Sequence, residues 1–286
     1  MEELNKLRKI IIVGVICIII SIGSFVVGAI MLFKHFEGVY VILFGAFMLI
    51  VSAGMLYGKE ERFTSLYKVF LVDKELKKHF TNVTYSMRRG FDDTRVREAA
   101  LLEMSDAYKS EDYLKAEYEE TPFEQSDFFI QKEHEVHGKA GRAYMDATLY
   151  KGTLLIFEIP DKNLESVNVY SKDFSRRTKS IERLNKCEME NVEFNSRFDV
   201  YAANEQAAFY LLTPQFMEKL MPLASHFQAF AMRVVKNRVY VIYNKQSHDI
   251  FDPDSKIRKM SYSKEIEKIQ KDIEDIKLII KTISEG

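Results

Sequence analysis

Residues 198–220 read FDVYAANEQAAFYLLTPQFMEKL, and their pattern names the local structure almost residue by residue. Phe198, Val200 and Ala202 alternate with Asp199 and Tyr201, which is the period of a strand with one face turned inward. Asn204 stands where a helix N-cap is needed, and Ala207, Ala208, Leu211 and Leu212 form the packing side of a helix through Leu212. Thr213-Pro214 restarts the chain, with Thr as cap and Pro at the first helical position before QFMEKL. Caps, core positions and a helix restart account for the stretch, so it frames a fold and supplies no chemistry of its own.

Strand patterns extend outward on both sides. Residues 128–136, 142–150 and 153–159 alternate, the last two joined by a turn at Lys151-Gly152. Residues 167–170, 192–194, 229–235 and 239–243 are further strands, with a second turn at Lys236-Asn237. Short turns, with helices gathered between the later strands, predict an α+β domain built on a mainly antiparallel sheet. No long βαβ alternation is present.

The N-terminal part has a different composition. Residues 10–33 form a run of 24 without Asp, Glu, Lys, Arg or His, and residues 39–57 form another of 19. Each is long enough to cross a hydrocarbon core of about 30 Å at about 1.5 Å per helical residue. The short KHFEG between them predicts a tight antiparallel transmembrane hairpin. A signal peptide would also begin with positive charge, but the first run exceeds an h-region, lacks an A-x-A-like site and is followed at once by a second span. Lys6, Arg8 and Lys9 before the hairpin, and Lys59, Arg62 and Lys68 after it, outweigh Lys34 in the loop. Both termini are therefore expected in the cytoplasm of a bacterial cell, with the chain in its inner membrane. Gly14, Ser21 and Gly28, and then Gly38, Gly45 and Ser52, recur every seven residues as a stripe for close helix approach. No ionisable residue marks an ion path within either span.

Residues 59–80 carry Phe63, Leu66, Tyr67, Phe70 and Leu71 at helical spacing, and residues 93–120 are read as helix, with Ser110 capping EDYLKAEY. The acids between Glu98 and Glu124 read as a solvated face or as an acidic surface for a partner. In the tail, Ile266, Ile269, Ile273, Ile276, Ile280 and Ile283 follow a 3-4 spacing, an a/d seam that suits either self-association or packing on its own domain. The expected organisation is thus a transmembrane hairpin over 1–58, a helical connector over 59–125, the α+β domain over 126–258 and a C-terminal amphipathic helix over 259–286.

The residue types that carry chemistry occur in few clusters. EHEVH holds His134 and His137, but their spacing is not the i, i+4 of a helical zinc motif, and no metal site is expected. Cys187 has no histidine or helix N-terminus beside it to activate a thiolate. Glu158 and Asp161 flank Pro160 in what a turn also explains. Gly-rich phosphate loops and G-x-S-x-G are absent, and no cofactor is expected. Two cysteines, one inside a span, make no disulfide framework. A net charge of -1 argues against a nucleic-acid partner. The basic segment with Lys172, Arg176, Arg177, Lys179 and Arg183 suits anionic headgroups, a solvated loop or the acidic helices.

The run NVEFNSRFDVYAANEQAAFYLLTPQFMEKL, residues 191–220, resembles the signature of the bacterial proteins grouped as domain of unknown function three-one-three-seven. The likeness extends from about Ser126 through HDIFDP at 248–253. Many relatives have an acidic residue where this chain has Asn204, which keeps the capping role. The resemblance implies two N-terminal membrane spans and this fold, and no catalytic residues. The expected function is a membrane-tethered interaction or scaffold module that meets the lipid bilayer and a protein partner or a second copy of itself. A membrane-anchored hydrolase using His134 or His137 with nearby carboxylates is the alternative. Two spans without charge make a transporter subunit a poorer fit.

Overall fold

The computed structural model describes residues 2–32, 37–105, 107–138, 141–160, 164–175, 184–245, 250–253, 255–257 and 261–286. The chain divides into two compact units, Met1–Lys74 with Asp252–Glu267, and Glu75–Phe251 with Lys268–Gly286.

In the first unit, α1 (Glu2–Leu32) and α2 (Gly38–Leu56) pack through the small-residue stripe. Ser21 Oγ donates to the Gly45 carbonyl at 2.7 Å, and Ser52 Oγ donates to that of Gly14 at 3.0 Å. At the other end a Cβ on Gly38 would lie 2.6 Å from the Gly28 carbonyl oxygen, so the backbones meet where only glycine fits. These contacts replace the hydrophobic drive that lipid cannot provide. The most apolar stretches of the two long helices are only 17% and 11% buried. A soluble core helix would be mostly covered, so these apolar surfaces suit lipid, and the chain is read as a membrane protein.

Gly58, with φ of 65°, makes the left-handed turn from α2 into α3 (Lys59–Tyr67), which runs on through a π-helical turn at Lys68–Val72. Phe63 and Tyr67 on α3, and Leu4, Leu7 and Ile11 on α1, are buried. The Tyr67 hydroxyl donates to Glu265 at 2.9 Å, and Lys68 pairs with Asp252 at 2.8 Å. Lys68 is therefore held in a buried ion pair and is not a free flanking cation.

The second unit is a single antiparallel sheet. Its strands are β1 (Thr81–Ser86), β2 (Ala107–Tyr118), β3 (Thr121–Gly138), β4 (Gly141–Glu158), β5 (Leu164–Ser171), β6 (Asn185–Cys187), β7 (Phe198–Ala202), β8 (Ala229–Lys236) and β9 (Arg238–Asn244). They lie in the order β1-β2-β3-β4-β9-β8-β5-β7-β6. The helices, α4 (Asp73–His79) and α5 (Asp93–Ala99), then α6 (Lys172–Ser175), α7 (Val192–Arg197), α8 (Glu205–Leu211), α9 (Pro214–His226) and α10 (Tyr262–Ser284), complete an α+β architecture. One core gathers Phe128, Ile130, Leu154, Ile156 and Ile242 of the sheet with Val96 and Ala99 of α5 and Phe174 of α6. On the opposite side Phe227 stacks with Phe230 and packs at a tilt against Tyr243.

The opening stretch folds as its pattern predicts. Asn204 accepts from the Ala207 amide at 2.7 Å, and Thr213 from that of Phe216 at 3.2 Å. Three other expectations are corrected. The helix over 93–120 exists only as α5, which stops at Ala100 in a left-handed conformation; residues 107–118 are β2, and the Ser110 hydroxyl donates across the sheet to the Asp127 carbonyl at 2.7 Å. The turn at Lys151-Gly152 is interior strand. β3 and β4 pair from Phe123↔Phe157 to Gly138↔Gly141 with one register shift at Ile130/Gln131. Gly152 instead admits close neighbours, because a Cβ there would lie 2.7 Å from the Tyr150 ring and 2.9 Å from the Tyr243 carbonyl oxygen. Residues 192–194 begin α7, with Asn191 accepting from the Phe194 amide at 3.0 Å.

Candidate functional site

A cleft of ≈ 200 Å³ opens in the sheet unit, lined by Arg95, Lys115, Pro122, Phe123, Glu124, Ile156, Phe157, Glu158 and Arg238. Its charges are placed by helix capping and strand register. Asp92 caps α5 by accepting from the Arg95 amide at 2.9 Å, and this fixes the helix that carries the Arg95 side chain. Lys115 on β2 is directly opposite Glu124 on β3, and Glu158 on β4 is opposite Arg238 on β9. Glu124 accepts from Arg95 at 2.9 Å and faces Lys115 at 3.4 Å, while Arg238 reaches Glu158 at 3.3 Å. Burial first, and then the Glu124 carboxylate, raise the pKa of neighbouring Tyr113. Three cations and two carboxylates thus surround a few apolar side chains. The arrangement suits recognition of a mixed apolar and charged segment with an acidic bias.

Among the described residues the sequence candidates are not brought together. His134 and His137 lie on β3, opposite Met145 and Arg142 on β4, in the part beyond Gln131 and Thr153 where, among the described residues, β3 and β4 pair with each other alone; their side chains are outside the described residues. Cys187 is buried at the end of β6, and desolvation, followed by Glu205, raises its thiol pKa, the reverse of what thiolate chemistry needs. Glu158 is committed to Arg238, and Asp161 falls outside the described residues. Within the basic segment, Lys172 pairs with Asp199 at 2.5 Å, and Lys186 joins it at 3.1 Å; Arg176, Arg177, Lys179 and Arg183 lie outside the described residues. Among the described residues no three His, Cys, Asp or Glu side chains gather as metal ligands.

The tail seam is covered by the chain itself. Ile269, Ile273, Ile276, Ile280 and Ile283 are at most 2% exposed, and Ile266 is half-buried. A polar clamp accompanies this packing. Lys245, at the end of β9, holds Asp272 at 2.7 Å and also Asp275; His226 of α9 lies 2.7 Å from Asp275; the Phe251 amide donates to Asp272 at 3.2 Å. Burial lowers the Lys245 pKa, but Asp272 and Asp275 outweigh it and leave the value raised. Ile250 and Phe251 of HDIFDP are buried beside this clamp, so that motif is structural where it is described.

Sequence reasoning identified Glu158 but missed Arg95, Lys115, Glu124 and Arg238 as a group. They come from four separate elements, and no local spacing links them.

Residues 148–285 match the family described as "Protein of unknown function (DUF3137)". That is the family the run at 191–220 resembles, and the match extends from β4 to the end of α10. No curated protein matches the chain. The crystal structure of the mycobacterial trehalose monomycolate transport factor A, TtfA, is similar at 9% identity and a TM-score of 0.37, covering 72% of this chain and 92% of that one. A likeness of that degree carries no argument about function.

Proposed function

We propose, for a chain that over residues 148–285 belongs to a family of proteins of unknown function, that it is a membrane-tethered interaction module. The hairpin crosses a bacterial inner membrane twice with both termini cytoplasmic, and the sheet unit engages a protein partner. The cationic flanks Lys6, Arg8, Lys9, Lys59 and Arg62 support this orientation. The observation that carries the interaction reading is the cleft, whose cations Arg95, Lys115 and Arg238 outnumber its carboxylates around Phe123, Ile156 and Phe157. A partner segment with an acidic side chain next to an apolar one matches it. The tail seam, being covered, is not the contacting surface in this reading.

The test compares the full chain with a Lys115→Glu/Arg238→Glu variant, each isolated from its own membranes with crosslinked partners quantified by mass spectrometry. Both side chains are substantially exposed, so the like-charge pairs created opposite Glu124 and Glu158 should lower stability only slightly, each by less than about 1 kcal/mol. Recovery of the partner should fall by about tenfold or more, the equivalent of roughly 1.4 kcal/mol. The same proteins recovered in the same amounts from both forms would sink the cleft as the contact site.

A further inference from the structure

We infer that Arg8 holds the phosphate of one anionic lipid at the end of the hairpin. Nε and Nη1 of Arg8 are buried and have no hydrogen-bond partner. A guanidinium is always charged, and a buried charge without a counter-ion is costly. Two carboxylates of the same unit are already paired with other cations, Glu3 with Arg62 at 2.6 Å and Glu60 with Lys256 at 3.3 Å, and no ion pair joins Arg8 to a carboxylate among the described residues. An anion from outside the chain is therefore the missing partner.

The position of Arg8 identifies the source. Ser21 bonds Gly45, Ser52 bonds Gly14, and Glu3 pairs with Arg62. Continued along the two helices, this register sets Arg8 opposite Tyr57 and Gly58, at the boundary of α2 and α3. Tyr57 is 87% exposed, as an aromatic ring at the water-lipid boundary would be in the absence of lipid. Arg8 lies two positions before the apolar run, about 3 Å along the axis, which is headgroup depth. Lys6 and Lys9 beside it are exposed and add only diffuse attraction. The planar fork of Arg8 is the group that recognises a phosphate by geometry.

The experiment uses the full chain in nanodiscs of equal phosphatidylcholine and phosphatidylglycerol, with lipids retained on release counted by native mass spectrometry. The wild-type chain should keep one phosphatidylglycerol about fivefold better than phosphatidylcholine. Arg8→Gln should abolish the preference, Arg8→Lys should retain a weaker one, and Lys9→Gln should leave it intact. Equal preference in the wild type and Arg8→Gln, or equal loss in Lys9→Gln, would overturn the site. Displacement of the lipid by millimolar inorganic phosphate would overturn its assignment to a headgroup. Should Arg8→Gln fail to assemble, the wild-type melting point decides: it must be higher in phosphatidylglycerol than in phosphatidylcholine, and equality contradicts the inference.

Discussion

In the hairpin the buried polar groups include two serine hydroxyls, and each donates to a backbone carbonyl of the facing helix. In the sheet unit they include ionised side chains held by one another, with Lys245 between Asp272 and Asp275, and Asp199 between Lys172 and Lys186. The first solution repeats every seven residues and joins neighbouring helices. The second brings together residues far apart in the chain and depends on each partner staying in place. The hairpin should accordingly respond to added volume, and the sheet unit to lost charge.

The largest effect is expected at Asp272, which is fully buried. Asp272→Ala leaves Lys245 short of a counter-ion and the Phe251 amide without an acceptor, and should destabilise the sheet unit by about 3–5 kcal/mol. Chemical denaturation monitored by the intrinsic tyrosine signal measures it, and a loss below about 1 kcal/mol, the scale of an exposed pair, would show that the clamp is not needed. Gly38→Ala comes next. Its methyl group meets the Gly28 carbonyl oxygen, whereas Gly54 has nothing within 4 Å of the same added atom. The first change should cost about 1–3 kcal/mol of helix-helix stability and Gly54→Ala close to none. Steric-trap unfolding in bilayers distinguishes them, and equal costs would refute packing through the stripe.

The smallest effect is alkaline. Burial raises the Tyr108 hydroxyl to about 12, while an unfolded tyrosine ionises near 10. Between those values the folded protein keeps a proton that the unfolded chain has lost. This contribution is complete below about pH 10 and lost as pH rises towards 12. Tyr108→Phe, which also removes the bond from that hydroxyl to the Phe91 carbonyl, should flatten the decline above pH 10. An unaltered slope would contradict the assignment.

The contrast also explains what was legible in the sequence. The Gly/Ser stripe, the Asn204 and Thr213 caps and strands β5, β7, β8 and β9 are signalled by residues within a few positions of one another. β2 was not, because its hairpin to β3 turns on Glu119 and Glu120, both with positive φ, where Asn-Gly would have announced a turn. Lys151-Gly152 misled in the opposite direction, since its glycine makes room for Tyr150 and the Tyr243 backbone inside a strand. The seam of isoleucines announced a buried helix face without saying against what. The cleft left no local trace, because Lys115 meets Glu124, and Glu158 meets Arg238, only once β2, β3, β4 and β9 are in register.

In the proposed function the cleft of the sheet unit receives a protein segment while the hairpin is in its membrane. A photo-crosslinking residue at position 115 of the full chain, activated in intact cells, tests it against the same residue at exposed position 218 on α9. One discrete adduct is expected from position 115, lost when Arg238→Glu is added, and none from position 218. No adduct at 115, or the same adducts from both positions, would contradict it.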